Sequence, residues 1–246
     1  MPVQPQYDLE KIRFATDAST FGKAVGLYES GNVTHFTEER GAYSAIVLGA
    51  KPYRVVVEAR RHDYGQCDCY LGQKKMFCKH MVAVAIYAVQ KGNPLIQEDK
   101  RHVTRPACSR KLGTLDKEEL TAVKQSVTDA LKYIKPYHGP SRLWLSYQQS
   151  LSEGCRRLAK VISDLPVGEQ TAKLIVDLLL RLDKKVSYGG TDDSDGRVGS
   201  FMDEAVRVLE EYATLDPDCI TVFRRLEHKE TSFGWEEPLM RLVDKK

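Results

Sequence analysis

The sequence predicts an α+β domain built on a β-hairpin and a helix, followed by an all-α helical bundle. Three observations carry this. Two β-branched runs are separated by a turn, a dense cysteine–histidine run follows them directly, and beyond residue 114 the apolar residues recur at helical spacing. At 246 residues the chain has room for one to two domains, each able to bury a core without covalent staples.

In the first domain, residues 1–92, Asp17 to Tyr28 reads as a short helix or a turn region. Tyr43-Ser44-Ala45-Ile46-Val47-Leu48 and Tyr53-Arg54-Val55-Val56-Val57-Glu58 read as strands, with Gly49-Ala50-Lys51-Pro52 as the turn between them. Lys79 to Lys91 reads as a helix stopped by Gly92-Asn93-Pro94. Residues 93–114 hold Pro94, Pro106 and Gly113 among scattered basic residues without periodicity, and read as a linker.

The second domain, residues 115–246, opens on a helix whose buried face is Leu120, Val123, Val127, Leu131 and Ile134, with Asp116 and Glu119 as a capping box. Trp144, Tyr147, Leu151, Cys155, Leu158 and Ile162 make a second stripe, ended by Leu165-Pro166. Ala172 to Leu182 is a third helix, and its stretch from Leu174 to Leu180 is apolar on nearly every side. After a polar loop over Ser187 to Gly196, Val198, Met202, Ala205, Leu209 and Tyr212 form a fourth stripe. Asp216-Pro217 is an N-cap and first-turn pair for a fifth helix, and Glu236 to Asp244 reads as a short sixth. Trp144 and Trp235 read as core or edge residues of this bundle, and Cys155 as packing.

Cys67-Asp68-Cys69, eight residues, then Cys78-Lys79-His80 make C-x-C-x8-C-x-H. Three thiols and an imidazole match what tetrahedral zinc takes. In an extended chain Cys67 and Cys69 share one side. Cys78 and His80 open a helix, where exposed N–H groups favour a thiolate. Gly72 lets the intervening loop turn back. Four protein ligands leave no vacancy, so the reading is one structural Zn2+ per chain and not a catalytic metal. Cys108, His102 and His62 are alternative ligands.

From Tyr43 to Gln90, a hairpin, C-x-C-x(n)-C-x-H and an apolar helix together resemble the SWIM zinc finger, with Cys67, Cys69, Cys78 and His80 at the ligand positions. The loop Asp192-Asp193-Ser194-Asp195-Gly196 before a helix is similar to a segment of bacterial SWIM-containing proteins. SWIM fingers accompany helicase-like ATPases and Mutator-type transposases. The resemblance implies a zinc finger that binds DNA or mediates protein–protein contacts.

Arg60, Arg61, Lys74, Lys75 and Lys79 are interleaved with Tyr64, Tyr70 and Phe77 around the ligands. This mixture suits phosphate and base contact, or a partner protein. It also suits a solvated finger surface with Tyr70 or Phe77 packed over the metal. Net charge is only +3, with the front half mildly basic and the back half mildly acidic. That balance favours an adaptor for a protein partner, such as a separately encoded helicase-like ATPase, over DNA, which stays as the alternative.

Asp193, Asp195 and Gly196 resemble part of a calcium loop, but Thr191 and Met202 occupy positions that need carboxylates, so these residues read as a helix-capping turn. No phosphate-binding loop, nucleophile elbow, H-E-x-x-H or dinucleotide fingerprint is present, and the expectation is a protein without catalytic activity or a small-molecule substrate. The start of the chain has no signal-peptide h-region. The longest apolar run, Met81 to Val89, is about half of what a membrane span needs. The expectation is a soluble cytoplasmic protein without membrane contact, whose thiols stay reduced and free for metal.

Overall fold

The computed structural model describes residues 4–229 and 231–244. The chain divides into two compact units, residues 1–102 and 103–246, each with its own apolar core.

The first unit starts with α1 (Leu9–Ala15) and α2 (Ala18–Glu29), whose N-caps Asp8 and Asp17 accept from the N–H groups of Lys11 and Thr20. Strands β1 (Val33–Glu39), β2 (Ala42–Leu48), β3 (Pro52–Glu58) and β4 (Gly65–Cys67) form one antiparallel sheet in that order. The expected hairpin is β2–β3, in register from Ala42↔Glu58 to Leu48↔Pro52. The two flanking strands are additional. In β1 a bulge between Thr34 and Thr37, with His35 at φ 51°, breaks the alternation by which a strand is recognised. β4 has only three residues.

Period-two alternation turns Tyr43, Ala45 and Val47 of β2 and Val55 and Val57 of β3 inward. They meet α4 (Lys79–Gln90), which packs on the sheet and on α1 and α2. That sandwich is why every residue from His80 to Ile86 is buried and why the helix carries no polar face. Lys91 ends α4 in the left-handed conformation. Two short helices complete the unit, α3 (Tyr70–Gln73) and α5 (Gln97–Lys100). The start of the segment expected as a linker is tied into this unit. The buried Arg13 guanidinium donates to the carbonyls of Glu98 and Arg101, Lys100 pairs with Glu29 at 2.6 Å, and His102 Nε2 lies 2.8 Å from the Thr16 carbonyl.

The second unit is helical: α6 (Lys117–Leu131), α7 (Trp144–Asp164), α8 (Glu169–Ser187), α9 (Arg197–Leu215), the short α10 (Ile220–Phe223) and α11 (Glu237–Val243). Residues 107–115 run along the α7–α8 turn. Val167 N–H donates to the Lys111 carbonyl, Gly113 N–H donates to the Val167 carbonyl, and Leu115 N–H donates to Gln170. α6 carries the expected capping box, with Asp116 accepting from Glu118 and Glu119. It buries only Ala130 and Leu131, against α7, where Gly154 permits close approach: a Cβ there would stand 2.8 Å from Ile134 Cγ1.

Two expectations change. The third helix is longer than Ala172 to Leu182, reaching from Glu169 to Ser187. The fifth is not one regular helix: Pro217–Cys219 and Arg224–Leu226 are 3-10 turns on either side of α10, which tuck Cys219, Val222, Phe223 and Leu226 into the core. Trp235 is buried, its indole N–H 3.2 Å from Asp183 Oδ1, whereas Trp144 is half-buried and donates to Asp192. Among the described residues no helix is long and apolar enough to cross a membrane.

Candidate metal centre

Each of the four sequence-marked ligands is placed by a different piece of local structure. Cys67 ends β4, opposite Val55 of β3. The strand is clamped one residue further on, where Asp68 N–H donates to the Arg54 carbonyl and Asp68 Oδ1 accepts from the Arg54 N–H. Cys69 is the N-cap of α3, its sulfur 3.3 Å from the Gly72 N–H. The chain then reverses through Lys75, at φ 57°, and Cys78 takes the extended N-cap position of α4. His80 follows in the first turn of that helix.

All four side chains are buried, and one ligand atom from each lies within 4.8 Å of the others. His80 presents Nδ1 to the group, 3.8 Å from Cys67 Sγ and 3.9 Å from Cys78 Sγ. Zinc–sulfur and zinc–nitrogen bonds of about 2.3 and 2.0 Å at tetrahedral angles put sulfur and nitrogen about 3.5 Å apart, so this donor set fits a tetrahedral ion with little movement. Cys78 is the thiol most easily ionised: hydrogen bonds from Cys67 and then His80 hold it well below the ordinary thiol range against the upward push of burial. Cys67, which donates to that sulfur and is itself buried, is pushed up.

No protein-family model, curated protein or solved structure matches this chain. The site therefore stands on its own geometry: a buried Cys3His group able to hold a metal ion.

The alternative ligands are elsewhere. His62 is buried, but edge-on to Phe77 and Tyr7 at 5.6 and 5.4 Å. His102 sits on Thr16, and Cys108 lies in the second unit. Tyr70 does not cover the ligands and is 70% exposed. The ring that does contact one is Tyr53, stacked on His80 with centroids 4.4 Å apart. Nothing in the sequence marks Tyr53 as a neighbour of His80; alternation along β3 only places it on the inward face with Val55.

The five basic residues lie around the site without converging on it. Arg60, Arg61, Lys74 and Lys75 are exposed, and Lys79 is half-buried at the start of α4. Arg61 is paired with Asp63 at 2.8 Å and lies over Tyr64. Lys74 Nζ donates to the Tyr70 hydroxyl at 2.6 Å and lies over the same ring. The loop at Asp63-Tyr64 and the loop at Lys75-Met76-Phe77 face each other across a groove of about 450 Å³ floored by Val56 and Glu58. Tyr64 and Met76, at 58% and 53% exposure, project beside it, and Leu71 is exposed as well.

In the second unit Asp193 caps α9, its two oxygens each accepting at 2.8 Å from the N–H groups of Val198 and Gly199, while Asp195 pairs with Arg197. Asp193 thus caps the helix start with both of its oxygens.

Proposed function

We propose that the first unit is a zinc-stabilised protein-docking module of the SWIM type, without catalytic activity, in which one structural Zn2+ is held by Cys67, Cys69, Cys78 and His80. Bound zinc supplies a cross-link among three elements, the end of β4, the start of α3 and the start of α4. Four buried protein donors complete its coordination, which suits structure and leaves no position for a substrate. Three free thiols in one cluster suit a reducing compartment such as the cytoplasm.

The observation that carries the docking role is the placement of exposed Tyr64 and Met76 on the loops the metal ties down, around an open groove, with Leu71 exposed on α3. Tyrosine and methionine are enriched at protein interfaces, and exposed apolar clusters mark them. Arg61 and Lys74 are already engaged within the unit, which weakens the case for phosphate. A partner such as a separately encoded helicase-like ATPase suits this surface. A photo-crosslinking amino acid at position 76, introduced in cells, should give a discrete protein adduct that Cys78→Ser abolishes and that the same group at exposed Ser126 on α6 does not give. Equal adduct patterns from both positions would sink the proposal.

A second reading is DNA binding. The pairs Lys74–Tyr70 and Arg61–Tyr64 combine a cation with an exposed ring, as base-stacking platforms do. Anisotropy titration with single- and double-stranded DNA at low and near-physiological salt separates the two: phosphate-driven binding weakens steeply with salt.

A further inference from the structure

The four ligands account for the metal's coordination but not for what aims the imidazole. A metal accepts the ring lone pair only along the ring plane, so the plane of His80 and the choice of nitrogen must be set by its neighbours. Among the described residues the two sulfurs are the only hydrogen-bonding contacts of the His80 ring. What lies against it is Tyr53. The two rings are 25° from parallel with centroids 4.4 Å apart. Tyr53 is the second residue of β3, held opposite Val47 by the β2–β3 ladder, so its ring is carried by the sheet while His80 is carried by α4. Lys51 Nζ lies 5.7 Å from the centroid of the same tyrosine ring.

The turn between β2 and β3 leaves room for this pair. A Cβ at Gly49 would stand 3.2 Å from Tyr53 Cε2 and 3.6 Å from His80 Nε2. Nε2 therefore faces the turn, while Nδ1 faces Cys67 and Cys78 at 3.8 and 3.9 Å. Stacking holds the ring in this plane, and within it Nδ1 is the nitrogen that lies within 4 Å of both sulfurs.

We propose that Tyr53 is a positioning residue for the metal centre: its stacked ring fixes the plane of His80, and within that plane Nδ1 is the ligating nitrogen, with Nε2 left protonated toward the Gly49 turn. This rests on the reading of the Cys3His group as a zinc site. Ring area and not the hydroxyl does the positioning, so Tyr53→Phe keeps it and Tyr53→Leu loses it.

The test uses the full chain loaded with zinc and quantified for metal. Long-range 15N–1H correlation spectra of the histidine rings identify which nitrogen is metal-bound, and competition with a chromogenic chelator reads the release rate. The native chain and Tyr53→Phe should show Nδ1 bound, protonated Nε2 and the same release rate. Tyr53→Leu should release zinc about ten-fold faster or more, in the range usual for groups that orient a metal ligand. Nε2 coordination in the native chain would overturn the inference, as would a Tyr53→Leu chain with native release and an unchanged nitrogen pattern. Should Tyr53→Leu fail to fold, the native chain and Tyr53→Phe still decide, since Nε2 coordination in either refutes it. A chain that takes up no zinc fails the metal reading itself, and the inference falls with it. One equivalent bound through Nε2 leaves the metal reading intact and removes only this one.

Discussion

A β-carbon on Gly72 would stand 2.1 Å from the carbonyl oxygen of Cys67 and 2.6 Å from its Cβ. The turn of α3 is thus pressed against the ligand strand more closely than any side chain allows, and that closeness lets Cys69 and Cys67 share one centre. The obstacle is mostly backbone, which cannot rotate away. Gly72→Ala should destabilise the metal-loaded first unit by about 1–3 kcal/mol, as overpacking does, and weaken zinc retention with it. Gly22, inside α2 with nothing within 4 Å of its would-be Cβ, is the control. Gly22→Ala should stabilise by about 0.5–1 kcal/mol, because alanine restricts the unfolded chain. Urea melts of the two variants should move in opposite directions.

The two apolar cores share no residue, and only one of them contains Cys67, Cys69 and Cys78. Structural zinc contributes about 10–16 kcal/mol in small metal-dependent domains, comparable to or above the whole stability of a typical fold. Chelation, or Cys78→Ser, should therefore melt the sheet and α4 while α6 to α9 persist. Circular dichroism should lose part of its helical signal and keep the rest to an unchanged second transition. A single unchanged melt with and without chelator would count against structural metal.

Thiol reactivity gives a residue-level version of the same test. The chain has six cysteines. Burial pushes Cys155 and Cys219 up to about 12, so at pH 8 they hold almost no thiolate, the reactive form. Metal would occupy Cys67, Cys69 and Cys78. That leaves half-buried Cys108, itself raised by burial, as the slow-reacting thiol of the folded, loaded protein. Alkylation followed by peptide mapping should label Cys108 alone, and chelation should add Cys67, Cys69 and Cys78. Labelling of Cys78 before chelation would show the site open.

Asp193 holds the first N–H groups of α9 with both oxygens. Asp193→Ala should cost the second unit about 1 kcal/mol, the usual worth of a helix cap, and leave zinc content unchanged. Millimolar calcium should not shift the melting of either form, because Thr191 and Met202 stand where a calcium loop needs carboxylates. A calcium-dependent shift lost in Asp193→Ala would reverse this assignment.

How much of this was legible in the sequence follows from what each feature depends on. The Cys67–His80 spacing, the β2–β3 turn and the α6 capping box are local patterns, and the structure has them where the residues indicate. β1 was hidden because its bulge at Thr34–Thr37 breaks alternation, and β4 because three residues carry no period. The breaks around α10 follow from core packing and not from Asp216-Pro217, which begins only a 3-10 turn. Tyr53 lies 27 positions before His80 in the sequence, and only the pairing of β3 with β2 and the packing of α4 on the sheet bring the rings together. The exposure of Tyr64 and Met76 likewise depends on loops folded around the metal ligands.

The division between docking and nucleic-acid binding turns on which side chains around the groove carry the energy. Lys74 and Lys75 are exposed, and a phosphate would be attracted to both; Tyr64 and Met76 line the groove beside Val56 and would bury apolar area against a protein. If docking is right, Tyr64→Ala and Met76→Ala should each lower partner affinity by roughly ten-fold or more, the scale of an interface hot spot, while the double reversal Lys74→Glu, Lys75→Glu changes it less. Rim charges mainly alter association rate and salt dependence. If nucleic acid is the ligand, the double reversal should abolish binding and Met76→Ala should do little. Before reversal, each phosphate contact should contribute about 0.9 to the slope of log affinity against log salt for a duplex. The anisotropy slope and the crosslink yield of these variants, measured on chains of equal zinc content, report the two energies separately: loss of the adduct in Tyr64→Ala with no salt-dependent DNA binding is the outcome expected here, and a steep slope removed by charge reversal would replace docking with DNA binding.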